Sequence, residues 1–309
     1  MYWKVILVIL QYIYRTEIYQ SITINSLVMK TILLLTDFSK KADHAAELAV
    51  EIAERVNADI LLYNACLIPE VIPVAEAVFW QNETYEMLEE EVKVMLEKLA
   101  DRLRKKVANG AKSLYKPEIN YFSDFGTVAD TIASVVKKNK IWMVVMGTKG
   151  DNGISNFLFG SNAYGAIDNA NCPVLLIPEK TDIEDIKKVA LATDLQIEDM
   201  KQVDFLEEFA RQFRSEVVVT HVSPKGLTTE DEQQQVFELV NKLNNSSASF
   251  KGISGDEIER KLEEFSINEH VDVLAVIHKK YNLLERIFHS STTKILIRHS
   301  RVPLLVLPG

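Results

Sequence analysis

Met146–Pro178 reads MGTKGDNGISNFLFGSNAYGAIDNANCPVLLIP, and Val276–Pro308 reads VIHKKYNLLERIFHSSTTKILIRHSRVPLLVLP. The two align without a gap, each running from the end of an apolar run, through a helical segment, to a closing strand pattern after a proline. The likeness extends upstream. Thr31–Ser39 (TILLLTDFS) is echoed by Val189–Gln196 (VALATDLQ), which pairs Asp37 with Asp194. Asp59–Ala65 (DILLYNA) is echoed by Glu216–Val222 (EVVVTHV), and this sets Tyr63-Asn64 against His221-Val222. Self-similarity on this scale means two copies of one supersecondary unit. A chain of 309 residues is also about twice the common domain size.

Within the first copy, short apolar runs alternate with helical periods. Ala45, Leu48, Ala49, Ile52 and Val56 recur at three and four, so they share one face of a helix after the first strand. A longer amphipathic stretch places Tyr85, Leu88, Val92, Met95, Leu99, Leu103 and Val107 on one side and stops at Asn109-Gly110. Strands are expected near 31–36, 59–65, 118–123, 141–147 and 173–178, and in the second copy near 187–193, 216–222, 247–253, 271–277 and 302–307. The second copy's middle helix, Glu230 to Leu243, is shorter. Strands separated by helices run parallel, and Ile141–Gly147 (IWMVVMG) is apolar on both faces, as a doubly covered sheet requires. The fold class is therefore α/β, with two tandem doubly wound domains, each a five-stranded parallel sheet. The polar Glu179–Asp185 (EKTDIED) marks the joint, giving domains 29–179 and 187–309.

Residues 1–28 stand apart. Val5–Tyr14 (VILVILQYIY) has the length of a signal-peptide core, but no small-x-small cleavage site follows it. It is too short to span a membrane. A leader, an overlong start before Met29 and an added strand all fit, and composition does not separate them.

Composition excludes several functions. Lys+Arg 35 against Asp+Glu 44 leaves a net charge of −9, the wrong sign for holding nucleic acid or anionic lipid by phosphate neutralisation. Neither nucleic acid nor membrane is expected as a partner. The two cysteines, Cys66 and Cys172, lack CxxC spacing, so a reducing cytoplasm is expected. The histidines show no HExxH or comparable ligand spacing, and no metal site is expected.

In an open parallel sheet, ligands sit beyond the carboxyl ends of the strands where strand order reverses. Asp37 lies at such an end. The fourth strand closes in Met146-Gly147, followed by Thr148, Lys149 and Gly150, then nine residues to Gly160-Ser161-Asn162 at the start of a helix. Glycines let backbone N–H groups approach a phosphate, and a helix start adds unpaired donors and a favourable dipole. A carboxylate on the neighbouring strand suits sugar hydroxyls or a base edge. The bland readings are a turn for Gly147 and Gly150, and helix capping for Asp37, a job for which Ser39 is better placed.

Gly-x2-Gly-x9-Gly-Ser after an apolar strand, the early TDFS, and the closing Pro-Val-Leu-Leu-Ile-Pro together resemble the universal stress protein family, over about residues 29–309. The resemblance implies a tandem pair of adenine-nucleotide-binding, HUP-like domains. From the ATP-binding branch it carries over the ligand positions Asp37, Gly147, Gly150, Gly160 and Ser161, with Met146, Lys149, Asn64 and Asn162 beside them. Asn64 stands where the family usually has an apolar residue, Asn162 replaces a common Val, and Ala163 lacks a common hydroxyl. ATP is the implied ligand, with ADP or AMP as alternatives and Mg only as a companion of the phosphates. The resemblance also implies pairing of the last strands between the two domains, and a homodimer as a further expectation.

In the second copy Gly147, Gly150 and Gly160 become Ile277, Lys280 and Ser290. One nucleotide per chain is expected, bound by a stress or regulatory protein that reports to an unknown protein partner. A slow ATPase or nucleotidyl transferase at the same site is the alternative. Against it, the chain has no Walker GxxxxGK[ST], no SGGxDS loop and no HxGH pair. A scaffold that binds no nucleotide is the third reading.

Overall fold

The computed structural model describes residues 29–67, 77–110, 113–148, 161–179, 181, 185–195, 201–224, 229–243, 247–278, 296 and 300–309. Residues 1–28, with their three readings, lie outside the described residues.

The first copy runs β1 (Lys30–Leu35), α1 (Lys40–Val56), β2 (Ala58–Cys66), α2 (Ala77–Asn109), β3 (Ile119–Phe125), α3 (Val128–Lys138), β4 (Met143–Gly147), α4 (Ser161–Asn169) and β5 (Val174–Ile177). The second copy runs β6 (Lys188–Ala192), α5 (Lys201–Phe213), β7 (Glu216–Ser223), α6 (Glu230–Lys242), β8 (Ala248–Ser254), α7 (Ile258–Asn268), β9 (Val273–His278) and β10 (Leu304–Pro308). Every strand falls within two residues of its expected start.

All ten strands form one sheet in the order β3-β2-β1-β4-β5-β10-β9-β6-β7-β8. Pairing is parallel within each copy and antiparallel where β5 meets β10, with Leu175 opposite Leu305 and Val174 opposite Val306. The strand the resemblance marked for pairing thus sits at the centre of the sheet. Leu175 and Leu305 are both fully buried there.

The alternation of TILLL explains the layers. Ile32 and Leu34 pack with the buried faces of α1 and α2, while Leu33 and Leu35 pack with α3 and α4 on the opposite side. In the second copy α5 and α6 lie on the α1 face, and α7 on the α3 face. Each copy is doubly wound, and its strand order reverses between the first and fourth strands. The expected helical face holds, since Ala45, Leu48, Ala49, Ile52 and Val56 are all buried. Side-chain contacts also bind the copies: the Trp142 and Phe205 rings lie 4.9 Å apart, and His278 Nε2 lies 2.9 Å from Asp168 Oδ1. Among the described residues no helix is long and apolar enough to cross a membrane.

Candidate functional site

β1 ends at Leu35, and the chain turns within Thr36-Asp37-Phe38 before α1 begins at Lys40. The turn depends on Phe38 adopting φ 62°, a conformation that a side chain disfavours and that surrounding bonds must hold. Those bonds are present. Thr36 N–H donates to Tyr63 O at 3.0 Å, Phe38 N–H donates to Thr36 Oγ1 at 3.0 Å, and Asn64 Nδ2 donates to Thr36 O at 2.7 Å. Asp37 Oδ1 accepts the Ser39 N–H at 3.0 Å, and Ser39, not Asp37, caps α1 by accepting the Ala42 N–H. The Asp37 side chain is exposed at the carboxyl edge, whereas Asn64 is buried.

Gly147 ends β4 beside this turn, on the other side of the switch point. A Cβ added there would stand 3.3 Å from Lys41 O and 3.5 Å from Lys41 C, so the missing side chain admits the first turn of α1 against the end of β4. The glycine therefore has a packing role in addition to any approach by a ligand. Met146, its buried neighbour, packs in the core on the α3 side. The Thr148 N–H continues the β4–β5 ladder by donating to Ile177 O at 3.0 Å.

Asp37, Asn64, Met146 and Gly147 are thus brought to the carboxyl ends of three adjacent strands, β2, β1 and β4. Lys149, Gly150 and Gly160 lie outside the described residues. Ser161 is the first residue of α4, and Asn162 is exposed in its first turn. Close packing of α4 against α3 uses another glycine: a Cβ on Gly165 would lie 3.0 Å from Ala129 Cβ.

Two titratable groups, the buried Tyr63 and the half-buried Cys66, border the site. Burial pushes the Tyr63 phenol up, partly offset by its 2.6 Å hydrogen bond to Thr131 Oγ1. Burial likewise pushes the Cys66 thiol up, which disfavours the thiolate and its reactivity. Among the described residues no group of His, Cys, Asp or Glu could hold a metal ion.

The second copy repeats the turn. Leu195 has φ 66°, its N–H donates to Thr193 Oγ1 at 2.9 Å, and Thr193 N–H donates to Thr220 O at 3.0 Å. His221 Nδ1 lies 2.8 Å from Thr193 O. These bonds correct the register read from the sequence: Tyr63 corresponds to Thr220 and Asn64 to His221, one residue earlier than expected. The expected pairing slid because both strands are apolar runs with no feature to anchor them. Thr36 and Thr193, whose hydroxyls each close a turn, were not singled out from the sequence either. The signal was present as the Thr-Asp that ends both runs. A matching glycine also sits at the end of each third strand: Gly126 (φ 131°) donates to Cys66 O, and Gly255 (φ 154°) donates to Ser223 O.

An exposed carboxylate on a braced turn, across the switch point from a glycine that ends the fourth strand, marks the candidate site of a doubly wound α/β domain at its carboxyl edge. Residues 29–178 match the model of the universal stress protein family. Over these residues, a little under half of the chain, the first copy is similar to the universal stress protein family. It is 28% identical over 149 residues to a universal stress protein of Methanocaldococcus jannaschii, a match covering 48% of this chain and 81% of the relative. The fold of both copies together is similar to that of a universal stress protein from Archaeoglobus fulgidus, with TM-score 0.65 and 16% identity over 90% of this chain and 98% of the other. It is also similar to a protein of unknown function from Pseudomonas aeruginosa, with TM-score 0.54 and 12% identity over 91% and 93%.

Proposed function

We propose that the chain is a nucleotide-responsive regulatory protein that binds one ATP in its first copy, within residues 29–179, while the copy at 187–309 serves packing and contacts with a protein partner. One observation carries the reading. Gly147 ends β4 with bare backbone close against the first turn of α1, whereas at the matching strand end the second copy has Ile277, whose half-buried side chain packs against the core. In the proposed complex, Asp37 takes the ribose or base edge. Gly147, Gly150 and Gly160 present backbone to the phosphates, with Met146, Lys149, Ser161 and Asn162 around them. Phosphates at the start of α4 also meet unpaired N–H donors and the positive end of the helix dipole.

The test is direct. Freshly purified protein is denatured, and the released nucleotide is identified and quantified by chromatography with mass detection. Close to one ATP per chain is expected, and Gly160→Val should carry none while unfolding at the parent's temperature. About two per chain would overturn the silent second copy, and mostly ADP would favour slow hydrolysis. No nucleotide, together with no heat of ATP binding in calorimetry at millimolar ligand, would overturn the proposal.

A further inference from the structure

The turn that carries the aspartate is built twice in this chain, and a different side chain closes it each time. Both versions share a left-handed residue after the aspartate, Phe38 at φ 62° and Leu195 at φ 66°. They also share a threonine before it, whose N–H is bonded to the neighbouring strand and whose hydroxyl accepts the N–H two residues on. The last bond differs. Asn64 Nδ2 reaches Thr36 O at 2.7 Å, whereas His221 Nδ1 reaches Thr193 O at 2.8 Å. Asparagine and histidine differ in volume, shape and basicity, but each carries a nitrogen bonded directly to Cγ. The two donors therefore stand at the same reach from the backbone. A carbonyl oxygen only accepts, so His221 must carry its proton on Nδ1.

We infer that Asn64 is a positioning residue of the nucleotide site: it pins the Thr36 carbonyl and thereby aims Asp37, without itself touching the ligand, and His221 pins the Asp194 turn in the same way. The Thr36 carbonyl and the Asp37 N–H belong to one rigid peptide plane, so fixing the carbonyl fixes the plane from which Asp37 departs. The strained φ at Phe38 would relax toward ordinary values if the plane were released, and the carboxylate would swing with it. Asn64 is buried and its amide already serves Thr36, so its side chain is committed to the turn. For its ligand the inference rests on the ATP reading above.

Two measurements test it. In calorimetric titrations with Mg-ATP, Asn64→Leu, which keeps the volume and removes the donor, should weaken binding about tenfold. Asn64→His, the second copy's own solution, should stay within about threefold of wild type. In an Asp37→Ala background, Asn64→Leu should have no further effect, because the residue acts through that carboxylate. Equal ATP affinity in wild type and Asn64→Leu overturns the positioning role, as does a full tenfold loss in the Asp37→Ala background.

The latch is also read without nucleotide. In wild-type protein labelled with ¹⁵N-histidine, the resonances lost in His221→Ala should show a proton on Nδ1. An Nε2–H tautomer overturns the latch whatever ATP does. Wild-type protein that binds no ATP overturns the functional reading alone, and the latch then stands or falls on the tautomer.

Discussion

The first and second copies share a frame and differ at single positions, and the difference separates what builds this fold from what equips a site. Strand order, layer assignment, the Thr-Asp turn and the glycine after the third strand recur in both. What changes is local. Gly147 faces Ile277 in the alignment, α2 is 33 residues long against 13 for α6, and the third strand leads into a capped helix in one copy but not in the other. A ladder of backbone bonds tolerates such changes, because the side chains involved sit at strand ends. A ligand site does not, because it is made of those ends.

The comparison breaks most severely at the seam. Leu175→Asp would bury a charge opposite Leu305 with no partner, costing about 4–5 kcal/mol. Urea denaturation followed by circular dichroism should show loss of the parent's cooperative transition. An unchanged midpoint would mean that the copies are not joined through β5 and β10.

Alkaline pH offers a sharper distinction. Burial pushes the Cys172 thiol of the first copy from 9.0 up to about 12, and the second copy has Val302 at the matching place. The folded-state value lies above the unfolded one, so the thiol's contribution is fully present below pH 9 and is lost as pH rises toward 12. The loss is about 1.4 kcal/mol per pH unit. Cys172→Val should flatten the fall in unfolding free energy over that window. A slope identical to the parent's would show that the thiol does not contribute.

Gly147→Ile makes the first copy's strand end like the second's. Its Cβ meets the Lys41 carbonyl at 3.3 Å, so the start of α1 must move. ATP affinity should fall about hundredfold, equivalent to about 2.7 kcal/mol. Calorimetry showing parental affinity would remove Gly147 from the proposed site.

The smallest effect runs the other way. Thr127 caps α3 by accepting the Asp130 N–H, whereas the matching residue of α7, Glu257, makes no side-chain cap. Glu257→Thr should stabilise the protein by about 0.5–1 kcal/mol, less whatever its exposed pair with Arg260 contributes. A thermal melt should show a rise of a few degrees at most. A lower melting temperature would show that the ion pair outweighs the cap.

Much of the frame was readable from residues. Runs such as ILLL and MVVM are apolar at every position, which only a strand covered on both faces accommodates, and their spacing by helical periods dictates parallel pairing. The candidate positions Asp37 and Gly147 were legible for the same reason, since each ends such a run. The roles of neighbouring side chains were not. Asn64 reads in sequence as one more site residue, and only the structure shows that its amide donates to the Thr36 carbonyl. Nothing in a linear alignment of apolar strands could have equated it with His221, because the register was settled by backbone bonds between strands distant in the chain.

Patterning determined the elements, their order, the doubling of the unit and the layers, because burial of apolar faces is a property each segment carries with it. Tertiary structure alone decided which strands became neighbours at the seam, which donor reached which carbonyl, and that the Gly147 vacancy is filled by the start of α1. Those outcomes turn on contacts of a few ångströms between residues far apart in sequence, and no local period encodes them.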